Sequence, residues 1–133
     1  MRIIGFVCEH GGASAFRLAG ERKLELPTEV ALISLPCLGR LDVMHILRAF
    51  REGADAVFVA GCLEGNCHHL YGNIEAAKRV EQAKRILEQV GLGKERLEMF
   101  HLSSDQSWKA KEVAELMLER AKEIGESPLG VRG

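Results

Sequence analysis

Four short apolar runs, separated by longer stretches of mixed polarity, set the pattern of this chain. Residues 2–7 (RIIGFV), 30–35 (VALISL), 56–60 (AVFVA) and 97–102 (LEMFHL) have strand length. Apolar and often β-branched, they end near glycine, proline or charge, so each predicts a strand. The run at 56–60 has no polar alternation, as a strand covered on both faces requires. Elsewhere the period lengthens to that of a helix. Asp42 is the predicted N-cap of a helix over 43–52, with Val43, Ile46, Leu47 and Phe50 at i, i+3, i+4 and i+7 and Gly53 at its C′ position. Asn73 is the predicted cap of a long helix whose stripe is Ala76, Val80, Ala83, Leu87 and Val90, stopped by Gly91. Ser103 and Gln106 form a capping-box pattern for a last helix. Its inward positions are Ala110, Val113, Met117, Ala121 and Ile124, and Gly125 ends it. Residues 13–19 read as a further short helix within the connection from the first strand to the second.

Strands alternating with helices predict an α/β fold: a single domain with a mostly parallel sheet of about four strands flanked by helices, in Rossmann-like or flavodoxin-like layering. The domain is expected over 1–125, with a flexible C-terminal tail at 126–133. A chain of 133 residues, 47% apolar and 28% charged, buries a core without disulfide staples. Its net charge of −1 supplies no field for nucleic acid or an anionic membrane. Aromatics are sparse, and Trp108 and Tyr71 read as packing or interface residues. The longest nearly apolar stretch, 30–38, is broken by Ser34 and Pro36 and falls short of the ~20 residues that span a bilayer. No secretory leader is recognisable, so a cytoplasmic location is expected, where thiols stay reduced unless they bind metal or do redox work.

That compartment makes the cysteines informative. Cys8, Cys37 and Cys62 each follow an apolar run, and Cys67 lies five positions beyond Cys62. In a parallel sheet such positions emerge at one edge, outside the carboxyl ends of the strands, where ligands bind. Cys62-Leu-Glu-Gly-Asn-Cys67 can curl round one centre, because Gly65 permits a tight loop. Its C-x₄-C spacing occurs in plant-type ferredoxins, and four thiolates suffice for an iron–sulfur cluster or a tetrahedral zinc. The loop 61–72 is about twice the usual strand-to-helix length, which suits a functional segment. His10, His68 and His69 stand close by in sequence and are possible substitute ligands, although hydrogen bonding within the loop is the plainer reading. Arg40 and Arg79 are placed to bring positive charge to the same edge, which favours a reduced cluster, or else to face solvent. Buried apolar packing is the alternative for Cys8 and Cys37. No GxSxG elbow, P-loop or GxGxxG follows any strand, which argues against hydrolase, NTPase and dinucleotide-binding classes.

Taken in order, CLGRLD (37–42), LRAFREGADAVFVAGC (47–62) and GNCHHLYGN (65–73) resemble the methyl-viologen-reducing hydrogenase delta-subunit family over about residues 3–124. The resemblance implies a 2Fe–2S protein that relays electrons between a hydrogenase or other dehydrogenase module and a heterodisulfide-reductase-like flavoprotein subunit. Such a chain need not be catalytic alone, and a non-catalytic subunit is expected before a stand-alone enzyme. Cys8, Cys37, Cys62 and Cys67 match cysteines of the family pattern. There is one departure: the family's first strand ends in C-x-x-C, and Gly11 stands at the second position here. If that thiol is an obligate ligand, His10 or solvent takes its place, or the cluster is absent. A zinc-binding or cluster-free structural adaptor of a redox complex is then the alternative, as is a Cys62/Cys67 thiol-redox protein. The partner surface is expected near the 62–72 loop.

Overall fold

Each of the four apolar runs forms a strand. The computed structural model describes residues 2–8, 16–17, 29–35, 41–61, 72–101 and 107–127. In it the strands are β1 (Ile3–Cys8), β2 (Val30–Leu35), β3 (Ala56–Gly61) and β4 (Leu97–His101). They make one sheet in the order β2-β1-β3-β4, with every pairing parallel. Among the described residues the helices α1 (Val43–Arg51), α2 (Gly72–Gln89) and α3 (Ser107–Ile124) flank it, and a 3₁₀ turn, Lys94–Arg96, leads into β4. Of the short helix predicted over 13–19, residues 16–17 are described and are helical. The predicted α/β fold is therefore the observed one.

Alternation along the strands sorts side chains onto two faces. On one, α1 and α2 enclose Phe6, Cys8, Val57 and Val59 with Leu41, Ile46, Phe50, Val80 and Leu87. On the other, α3 and Phe16 cover Ile3, Val7, Ala56, Phe58 and Ala60. Phe58 anchors that second face, stacked on Phe16 at 5.8 Å and edge-on to Phe100 at 6.4 Å between ring centroids. Its ring lies over Gly5, the residue paired with it in register, where any Cβ would run into the ring. Glycine here is a packing requirement.

Local chemistry sets the helix ends. The Asp42 side chain accepts from the Met44 N–H at 3.1 Å, and His45 Nδ1 accepts from the Asp42 N–H at 2.9 Å. Gly53 turns the chain at φ 108° just past α1. Three expectations need correction. α2 begins at Gly72, so Asn73 is already helical rather than the flanking cap. Val90 and Ile124, predicted inward, are 64% and 37% exposed. α2 ends at Gln89, and the turn at Gly91 (φ 85°) buries Leu92 in place of Val90; Ile124 is the last residue of α3, where the inward stripe runs out. The capping box expected at Ser103 lies outside the described residues.

The amino edge of the sheet carries a buried polar network. Asp55, fully buried, accepts from the Arg2 N–H at 2.8 Å and the Ser127 N–H at 2.7 Å. Arg96, also buried, donates to the carbonyls of Leu92, Asp55 and Gly125 at 2.9, 3.0 and 2.9 Å. These bonds lace the starts of β1, β3 and β4 to the chain after α3. A buried arginine surrounded by carbonyl acceptors is satisfied, so its burial does not leave donors stranded.

Candidate cofactor-binding edge of the sheet

The opposite, carboxyl edge is where β1 ends in Cys8 and where β2 and β3 end shortly before Cys37 and Cys62 in the sequence. Cys8 is the last residue of β1, not the residue after it, and pairs in register with Leu35, the last of β2. Gly61 closes β3 and pairs with His101, the last of β4. Cys37 follows Leu35 by two residues and Cys62 follows Gly61 directly. Cys37, Cys62 and Cys67, together with His10, Gly11, Arg40, His68 and His69, lie outside the described residues. Of the four predicted thiols, then, the structure describes Cys8. It is 3% exposed and belongs to the buried cluster of Phe6, Leu41, Ile46, Ala76 and Val80. Among the described residues no three His, Cys, Asp or Glu side chains gather to hold a metal.

Topology makes this edge special. From β1 the chain moves to one side to form β2, then crosses back to place β3 on β1's other flank. The order reverses between β1 and β3, and a crevice at that reversal is where open α/β sheets take ligands. Cys8 stands on one side of the reversal and Gly61, which leads into Cys62, on the other. Adjacent strands are about 4.8 Å apart, so three of the cysteines are tied by short lengths of chain to neighbouring strand ends. Four cysteines in this chain suit a thiolate-bound centre in number and kind. The apolar wall around Cys8 suits it too, because dry surroundings tune such a centre.

Arg79 and Arg120 each tie a helix to a distant part of the chain. Arg79, on α2, donates from Nη1 to the Leu41 carbonyl at 2.8 Å, and its Nη2 lies 4.0 Å from Glu75. Sequence reasoning names Arg79 as able to serve this edge; its carbonyl partner is visible only in three dimensions. Arg120, on α3, with Lys84, on α2, brackets Glu98 of β4, each at 3.1 Å. Partial burial pushes the Glu98 pKa up. Hydrogen bonds from Lys84, the Met99 N–H and Arg120 outweigh that and hold it below the ordinary value of 4.5. This triad ties both helix layers to the β4 edge and takes no part in the thiol site.

A doubly wound α/β domain with Cys8 at the carboxyl edge of its parallel sheet is the class that the fold defines. The family model described as methyl-viologen-reducing hydrogenase, delta subunit, matches residues 3–125, and the chain belongs to that family. It is 42% identical over 127 residues to the vhu iron-sulfur subunit of the F420-non-reducing hydrogenase of Methanococcus maripaludis, covering 96% of this chain and 95% of that protein. The corresponding vhu iron-sulfur subunit of Methanocaldococcus jannaschii is 39% identical over 127 residues, with the same coverages. A third relative is a subunit of the Ferredoxin:CoB-CoM heterodisulfide reductase of Methanosarcina mazei. It is 30% identical over 128 residues, which are 96% of this chain and 16% of that longer one. The whole domain thus has a counterpart inside a larger redox polypeptide. Among the described residues no helix is long and apolar enough to cross a membrane.

Proposed function

We propose that this chain is a cytoplasmic electron-relay subunit that holds a 2Fe–2S cluster through Cys8, Cys37, Cys62 and Cys67. Its electrons pass between a hydrogenase or dehydrogenase module and a heterodisulfide-reductase-like flavoprotein subunit. The observation that carries the reading is the strand order, which sets the ends of β2, β1 and β3 side by side with the topological switch point between β1 and β3. Each of those ends carries or closely precedes a cysteine. The relatives support the redox role: one set is described as hydrogenase iron-sulfur subunits, and another carries the domain within a heterodisulfide reductase polypeptide. A bound cluster would supply a one-electron couple. The chain's own contribution is Cys8 at the end of β1 and three further cysteines in the segments that follow β2 and β3, with a dry wall of Phe6, Leu41 and Ile46 on the Cys8 side. That wall keeps solvent from the thiol and lowers the local dielectric.

Protein purified without oxygen is expected to be brown, with iron and acid-labile sulfide in equal amounts and a paramagnetic signal on reduction. Cys62→Ser is expected to abolish that chromophore. Full iron retention in the variant would remove Cys62 from the ligand set. Stoichiometric zinc without sulfide would instead support the adaptor, and a reversible Cys62–Cys67 disulfide in metal-free protein the thiol-redox alternative.

A further inference from the structure

Arg79 joins two parts of the molecule that the chain keeps far apart. Its guanidinium reaches 38 positions back along the sequence to the Leu41 carbonyl at 2.8 Å. Leu41 is the last residue before the Asp42 cap of α1, and its side chain is fully buried in the cluster that also holds Cys8. The segment that ends at Leu41 carries Cys37, four residues upstream. The helix that carries Arg79 begins at Gly72, five residues after Cys67. One hydrogen bond therefore ties the chain leaving Cys37 to the helix entered from Cys62 and Cys67. Four residues of chain span at most about 14 Å, so fixing Leu41 limits where Cys37 can travel.

Arginine suits this task better than lysine. Its planar fork turns Nη1 to the carbonyl while Nη2 faces the Glu75 carboxylate. Ala76 and Val80, on either side of Arg79 along α2, are buried with Leu41 in the same cluster. The stem of the arginine thus leaves a packed layer, and its side chain is only 32% exposed. A lysine would offer a point charge and one bond to the carbonyl, without the second arm.

We infer that Arg79 is a positioning residue: it clamps the Leu41 carbonyl and so anchors the point where the chain from Cys37 enters α1 to the helix that follows Cys62 and Cys67. Its importance for a cluster rests on the proposed relay, but the clamp itself is testable without iron. Amide exchange of residues 41–47 in metal-free protein is compared with exchange of residues 113–121 in α3 for wild type, Arg79→Met and Arg79→Lys. Arg79→Met is expected to speed exchange at 41–47 at least tenfold while leaving 113–121 unchanged, and Arg79→Lys to recover most of the protection. Unchanged exchange at 41–47, or a uniform rise in both segments, would overturn the clamp. In the iron-loaded chain, Arg79→Met is expected to keep its iron yet show an altered paramagnetic line shape and a more negative midpoint potential, with Arg79→Lys close to wild type. An identical signal and potential in all three proteins would overturn the link to the thiol site. Absence of iron in wild type defeats the relay and leaves the exchange experiment to decide the clamp.

Discussion

β2 and β3 are both six-residue apolar strands, VALISL and AVFVAG, yet they live in different environments. Every residue of β3 is buried, with Val57, Phe58 and Val59 at zero exposure. In β2 the residues Ala31, Leu32, Ile33 and Ser34 are exposed, Leu32 at 40% and Ile33 at 44%. Position explains the contrast. β3 has β1 on one flank, β4 on the other and helices on both faces. β2 is an edge strand, and beside it α1 leaves a groove of about 350 Å³ lined by Ile4, Phe6, Ile33, Leu35, Arg48 and Ala49. Composition speaks to strand formation; place in the sheet speaks to burial.

Truncation breaks this comparison most sharply. Phe58→Ala removes the ring that fills the space over Gly5 and contacts Phe16 and Phe100. It is expected to cost about 3–5 kcal/mol in urea unfolding. Ile33→Ala on the exposed edge is expected to cost less than about 1 kcal/mol. Similar losses from both would erase the distinction between centre and edge.

A second test addresses why the centre stays ordered. Asp55 precedes β3 and holds the N–H groups of Arg2 and Ser127. Asp55→Ala leaves those donors unpaired by the carboxylate and is expected to lose about 2–4 kcal/mol. It should also release the 125–127 segment to limited proteolysis. Wild-type resistance to protease in the variant would show that the network is dispensable.

The smallest effect belongs to the other edge, β4. Glu98 has its pKa lowered in the folded protein, so its contribution is fully present above the unfolded value near 4.5 and is lost as pH falls through the folded value. Wild type should therefore lose stability on acidification below about 4.5 more steeply than Glu98→Gln. The difference at neutral pH is expected to stay below about 1 kcal/mol, because Lys84, Arg120 and Glu98 are all partly solvated. Parallel acid curves would mean that the triad adds nothing.

Much of the site is readable from residue order, but unevenly. Cys8, Cys37 and Cys62 after apolar runs, with Cys67 close behind, point to one edge; the strand order supplies the reason that edge matters. Arg79 is legible as a cation in the right part of the chain. Its grip on the Leu41 carbonyl is not, since no local pattern marks a carbonyl 38 residues away. Val90 and Ile124 are misplaced by periodicity because a helical repeat continues on paper past the residue where packing stops.

By itself the sequence determined what is local: four strands, the Asp42 cap, the turn at Gly53 and the inward stripes of α1, α2 and α3. Those features depend on backbone preference and on neighbours within one or two helical turns, which residue order states directly. The tertiary structure alone decided that β3 is central and β2 peripheral. It also decided that Asp55 fastens Ser127 across 72 positions, and that the strand order reverses beside Cys8. Such choices depend on which distant surfaces meet. Many strand orders would bury similar apolar area, and the difference between them lies in long-range pairing that no single segment encodes.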